Sequence, residues 1–144
     1  MKLFTIGFTQ KSAETFFTTL QQAGVQRIVD VRLNNTSQLA GFAKARDLHY
    51  FLMAIGDIGY THQPEFAPTP DILEAYKKNK GSWEEYEASY ARLMARRRAD
   101  DLAVKVLRDG DCLLCSEAEP THCHRRLLAE RVQKCMENLE IVHL

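Results

Sequence analysis

Hydrophobic positions along this chain switch repeatedly between an unbroken or alternating pattern and the three-to-four-residue spacing of a helix face. Leu3-Phe4-Thr5-Ile6 is a short apolar run of strand length, and Ala13, Phe16, Phe17 and Leu20 then fall on one side of a helix. Ser12 offers an N-cap and Gly24 a C-cap for that helix. Arg27-Ile28-Val29-Asp30-Val31 is rich in β-branched residues, so the chain up to residue 31 is predicted to be a β-α-β unit containing a parallel pair of strands.

The same punctuation continues. After the polar loop Asn34-Asn35-Thr36-Ser37, Leu48, Phe51, Leu52 and Ile55 repeat the helical spacing, which Gly56 or Gly59 can end. Ile58, Tyr60 and His62 alternate as a third strand does. Thr69-Pro70 starts one helix, and Ser82 with Glu85 is a capping box for another. The latter carries Tyr86, Tyr90, Leu93, Met94 and Arg97 on one face and is expected to break near Asp100, with a turn at Asp109-Gly110. Cys112-Leu113-Leu114-Cys115 is the fourth strand, a helix runs from about Thr121 towards Asn138, and Leu139 to His143 closes the sheet. The expected fold is one three-layer α/β domain over residues 1–144, with a mostly parallel sheet of about five strands flanked by helices.

Composition narrows the function classes. The chain has 144 residues, 45% of them hydrophobic and 26% charged, with 19 basic side chains against 19 acidic. A zero net charge disfavours attachment to nucleic acid by bulk electrostatics. The opening run is too quickly polar for a signal segment, and no stretch nears the length of a membrane span, so a cytoplasmic protein is expected. Four cysteines, three of them within one short segment, do not read as a disulfide framework, and reduced thiols are expected.

Reactive side chains concentrate where the fourth strand hands over to the last helix. In open parallel sheets ligands bind beyond the carboxyl ends of the strands. That rule gathers Gly7, Asp30, Arg32, His62, Cys115 and Glu117 around one opening, with Cys123, His124 and Arg125 in the first turn of the helix. Arg32 and Arg125 are candidates to clamp an anion, with Gly7 allowing close backbone approach. Cys115 is the candidate nucleophile, His124 a general acid or base, and Glu117 its partner. Asp30, Cys123 and His62 are placed as supporting residues. Each has a plainer reading: Asp30 and Arg32 as an internal ion pair, Cys115 as core, His62 as a half-buried strand residue, His124 as a hydrogen bond to a loop.

Leu114-Cys115-Ser116-Glu117, followed by Pro120, Cys123, His124 and Arg125, resembles the Cys-His-Arg signature of the family called domain of unknown function 488. Thr5-Ile6-Gly7, the block from Asp30 to Phe42, and Glu65-Phe66-Ala67-Pro68-Thr69 are similar to further blocks of that family, so the resemblance spans nearly the whole chain. It implies a compact α/β domain with a shared pocket and leaves the chemistry to the residues themselves. Nine residues separate Cys115 from Arg125, too many for the oxyanion cradle of cysteine phosphatases and rhodanese-like sulfurtransferases, which Asp30-Val31-Arg32 otherwise resembles.

The reading is therefore a small-anion pocket, favouring phosphate, nucleotide or carboxylate as the partner and an enzyme, a hydrolase or transferase, slightly over a binder. No motif calls for a cofactor. Two alternatives stay open. Cys112, Cys115, Cys123 and neighbouring histidines have enough donors for zinc, although residues three apart on a strand face opposite ways. Arg96-Arg97-Arg98 with Tyr86 and Tyr90 suggest a nucleic-acid module, and a redox role through a disulfide between Cys115 and Cys123 is a further alternative.

Overall fold

Side-chain alternation along the strands divides the hydrophobic core between two faces of one sheet. The computed structural model describes residues 1–36 and 40–144; Ser37, Gln38 and Leu39 of the family-like block lie outside the described residues. The strands are β1 (Lys2–Gly7), β2 (Arg27–Asp30), β3 (Gly59–His62), β4 (Asp111–Cys115) and β5 (Glu140–His143), ordered β3-β2-β4-β1-β5 with every pair parallel. Phe4, Ile6, Ile28, Cys112 and Leu114 point to one face, while Leu3, Val29, Leu113 and Cys115 point to the other.

The first face is covered by α1 (Ala13–Ala23) and α2 (Ala45–Gly56) through Phe16, Phe17, Leu20, Leu48 and Leu52. The second is covered by α4 (Trp83–Arg96), α5 (Ala99–Val106) and α6 (His124–Cys135) through Tyr90, Met94, Ala103, Leu128 and Val132. Helices on both faces of a parallel sheet make the three-layer α/β arrangement. The short helix α3 (Pro70–Lys77) lies beside α4.

The five-stranded, wholly parallel sheet agrees with the expected fold, and one expectation is corrected: β1 and β2 are not neighbours, because β4 inserts between them, pairing Asp111 with Leu3 on one side and Arg27 on the other. All five residues of β4 are buried. A strand apolar on both sides is best covered at the centre of the sheet, which overrides the tendency of consecutive strands to pair.

The caps fall where the side chains put them. The hydroxyls of Ser12, Thr69 and Ser82 accept hydrogen bonds from the N–H of Thr15, Ile72 and Glu85, and Gly24 ends α1 with φ +79°, a conformation that favours glycine. The long helical segment breaks at Arg98 (φ +53°), two residues before Asp100. The last helix starts at His124 rather than Thr121, with Cys123 at its N-cap. That shift leaves residues 116–122 as a loop over the strand ends.

Candidate active site

The carboxyl ends of four strands meet: Gly7 stands opposite Cys115, and Asp30 stands between Leu114 and His62. Above them opens a cleft of about 180 Å³. Arg32, Leu33 and Asn34 line it from the chain after β2, Cys115, Ser116 and Glu117 from the chain after β4, and His122, Cys123 and His124 from the start of α6. Pro68, Leu73, Tyr76, Lys77 and Tyr86 form the facing wall.

Arg32 is 2% exposed. Its Nε and Nη2 donate to the two carboxylate oxygens of Asp30 at 2.8 and 2.7 Å, and its backbone N–H donates to the same carboxylate at 3.1 Å. Tyr60 adds its hydroxyl to Asp30 at 2.6 Å, and His62 Nε2 donates to the Arg32 carbonyl at 2.9 Å. Burial, then the Asp30 carboxylate, push the Tyr60 phenol well above its usual range, so the hydroxyl stays protonated and donates. After all these bonds Arg32 Nη1 remains without a hydrogen-bond partner, the one buried side-chain nitrogen or oxygen in that condition among the described residues, while the guanidinium carbon lies 5.4 Å from the centre of the Phe8 ring. The ion-pair reading of Asp30 and Arg32 and the anion-site reading thus use different nitrogens of one guanidinium.

Arg125 does something else. It is fully buried and absent from the cleft lining. Nη1 donates to Cys115 Sγ at 2.9 Å and to the Glu117 carbonyl, Nη2 to the Ala118 carbonyl at 3.2 Å, and Nε to Thr5 Oγ1 at 3.4 Å. It therefore does not join Arg32 in a clamp. It holds the loop after β4 and sets a positive charge against the Cys115 sulfur.

Gly7 has a similarly internal role. A Cβ there would overlap the Glu117 carbonyl oxygen, so what approaches this backbone closely is the loop of the protein itself. Thr9 fixes the same loop through its N–H and hydroxyl, both donated to the Ser116 carbonyl.

His124 is 8% exposed, and its Nε2 lies 2.7 Å from the Val31 carbonyl. A carbonyl only accepts, so Nε2 carries the proton and Nδ1 keeps its lone pair. Burial lowers the His124 pKa to about 4, against the smaller opposing effect of the Val31 bond, so the ring is neutral at pH 7. Glu117 is half exposed at the rim, where it accepts from Lys77 Nζ at 2.8 Å. That pair links α3 to the loop after β4.

The thiol expectation is corrected. Cys115 and Cys123 are joined as a disulfide, because the strand end and the helix N-cap bring their sulfurs together across the intervening loop. Cys112 and Cys135 are free. Cys112 faces the opposite side of the sheet from Cys115, as the strand period requires. Among the described residues no group of three or more His, Cys, Asp or Glu side chains is arranged to hold a metal ion.

Four of the five residues behind the nucleic-acid alternative, Tyr86, Tyr90, Arg97 and Arg98, are buried or paired within the protein. Tyr86 and Tyr90 are 5% and 2% exposed, Arg97 donates to the Glu65 and Ala67 carbonyls at 2.8 and 2.7 Å, and Arg98 pairs with Asp101. Tyr90 also donates to the Phe66 carbonyl at 2.7 Å. Together Arg97 and Tyr90 hold the segment from Glu65 to Ala67 that carries Pro68 to the cleft, a task their helical spacing did not reveal. Sequence reasoning also missed Tyr76 and Lys77, which look like ordinary amphipathic helix positions until α3 is placed across the strand ends.

Among the described residues no helix is long and apolar enough to cross a membrane. No curated protein and no solved structure matches the chain. The model of one family, Domain of unknown function DUF488, matches residues 12–132, which include β2, β3, β4, the first three quarters of α6 and every residue lining the cleft. The chain belongs to the DUF488 family.

Proposed function

We propose that the cleft receives a small anion, a phosphate or carboxylate group, on the free Nη1 of Arg32, and that the bound molecule is presented to Cys115 in its thiol form. The protein is then a thiol-dependent enzyme acting on a small anionic substrate. The observation that carries this reading is the buried Nη1 without a hydrogen-bond partner on Arg32, a residue that lines a cleft together with two cysteines and a neutral histidine. A buried charged donor left unsatisfied costs several kcal/mol at the outside and about 1–3 kcal/mol for a neutral group, and an anionic acceptor from a ligand recovers that cost. Asp30 supplies the fixed counter-charge that makes Arg32 tolerable when the cleft is empty, and keeps the guanidinium aimed.

Arg125 is the positioning residue for Cys115 in this scheme, since its N–H favours negative charge on the sulfur. His124 Nδ1 is a proton acceptor that needs no deprotonation at neutral pH. The size of the cleft fits a compact ligand better than an extended one.

A thermal-shift panel of phosphate, mononucleotides and small carboxylates tests the reading. At least one anion is expected to raise the melting temperature of the native chain, by the linkage of binding to folding. It should fail to do so for Asp30→Asn/Arg32→Gln, which removes the buried charge pair together. A panel that leaves the native chain unmoved contradicts the proposal.

A further inference from the structure

We infer that Cys115 and Cys123 are a thiol–disulfide exchange couple, and that its substrates are small disulfides bearing carboxylates. The inference deepens the anion reading of the cleft and rests on it for the choice of substrate. Its own basis is the placing of the sulfurs. Both line the cleft that contains Arg32, and they are bonded to each other, whereas Cys112 and Cys135 stand outside that cleft and are free.

A purely structural staple is a poor explanation of this bond. The two cysteines are eight residues apart, and closing that loop stabilises the fold by about 2.5 kcal/mol through the unfolded chain, toward the lower end for disulfides. The loop is in any case already held by Arg125 on the Glu117 and Ala118 carbonyls and by Thr9 on the Ser116 carbonyl. The bond is therefore not needed to place the loop. A pair of bonded cysteines that both line a ligand-sized cleft has chemical use instead.

The surroundings assign the order of attack. Arg125 Nη1 donates to Cys115 Sγ, so Cys115 is the sulfur whose thiolate is stabilised when the bond is reduced. The Cys115 thiolate attacks one sulfur of a small disulfide, R–S–S–R, whose carboxylate rests on Arg32 Nη1. The R–S–S–R bond breaks, the first RS⁻ leaves with the electron pair and takes a proton from water, and a Cys115–S–S–R mixed disulfide forms. Cys123, giving its proton to water, then attacks the Cys115 sulfur and expels the second RS⁻. The protein dithiol is oxidised by two electrons to the observed Cys115–Cys123 bond, and one small disulfide is reduced to two thiols.

The experiment uses the full chain carrying Cys135→Ser, because that exposed thiol would react independently. Fully reduced protein is mixed with dithiodiglycolate, a small dicarboxylate disulfide, or with neutral 2-hydroxyethyl disulfide, quenched with an alkylating agent and weighed intact. Rates are divided by those of a free model thiol with the same reagents. The expected result is loss of two alkylatable thiols, a Cys115–Cys123 bond on peptide mapping, and at least a tenfold preference for the dicarboxylate. Cys123→Ser should accumulate the mixed disulfide on Cys115, and Cys115→Ser should form no adduct in the cleft.

Because these readouts exist for the reduced native cysteines as well, a misfolded variant does not leave the inference unexamined. It is overturned if Cys115 and Cys123 stay alkylatable in excess disulfide, if the adduct forms first on Cys123, or if the dicarboxylate has no advantage. Loss of exchange with a persisting phosphate-induced thermal shift rejects the couple and leaves the anion cleft standing. Exchange without carboxylate preference, together with a flat anion panel, rejects the proposed substrate class and the anion reading at once.

Discussion

Asp30 grips Arg32 two residues further along by both carboxylate oxygens, at 2.8 Å to Nε and 2.7 Å to Nη2, and so turns the remaining Nη1 of that buried guanidinium into an unpaired donor beside the cleft. The pairing is local in sequence. Its geometry depends on β2 ending at Asp30, where the chain leaves the sheet and the next two residues can fold back.

Breaking that grip from one side should be expensive. Asp30→Asn leaves the Arg32 charge buried without a counter-ion and is expected to cost about 3–5 kcal/mol. Tyr60→Phe removes one bond to the same carboxylate and should cost about 1.5–3 kcal/mol. Urea unfolding of both variants checks the values and their order; equal or negligible losses would show that Asp30 is not a buried ion-pair partner.

Gly7→Ala should disturb the site from a distance. The added methyl group overlaps the Glu117 carbonyl, so either β1 or the loop after β4 must move. Overpacking of this kind costs about 1–3 kcal/mol. Backbone amide shifts in NMR spectra should therefore change at residues 115–118 as well as around Gly7, and a variant with native stability and unmoved loop signals would refute the contact.

Acid should unfold the protein partly through His124. Its folded pKa, about 4, lies below the ordinary value of 6.5 for an unfolded histidine, so the unfolded chain binds the proton more readily between those limits. The contribution is fully present above pH 6.5 and is lost as pH falls towards 4, for a total on the order of 3 kcal/mol. Neighbouring Arg125 and Lys77 lower the pKa further, while Asp30 opposes them. Stability measured from pH 7 to pH 4 should fall less steeply for His124→Gln than for the native chain; parallel profiles would contradict the buried neutral ring.

The rim pair behaves differently. Lys77 and Glu117 are each about half exposed, so Lys77→Ala should change stability by less than about 1 kcal/mol. A larger loss would mean that α3 is anchored to the loop after β4 by this pair rather than by its packing beside α4.

Much of the fold was legible in short-range chemistry. The alternation of Leu3 and Phe4 to opposite faces, the helix spacing of Phe16, Phe17 and Leu20, and the caps at Ser12, Thr69 and Ser82 are all dictated within a few residues. The insertion of β4 between β1 and β2 was not, because strand order is decided by which strand most needs covering on both sides. At the site, the rule of the strand ends named four residues, Arg32, Cys115, Glu117 and His124, that line one cleft. The inward turn of Arg125 escaped notice, and the joining of Cys115 to Cys123 stood only as a minor alternative to reduced thiols, as each depends on the path of residues 116–122. No local pattern encodes that path; it follows from Gly7, Thr9 and Arg125 closing on it from elsewhere in the chain.

The most direct measurement of the central claim is a crystal structure of the native chain soaked in selenate, with the anion located by its anomalous scattering. The account predicts a selenate oxygen within about 3.2 Å of Arg32 Nη1, inside the cleft shared with Cys115 and Cys123. Selenate bound only elsewhere, with Nη1 satisfied by a protein group, would contradict it.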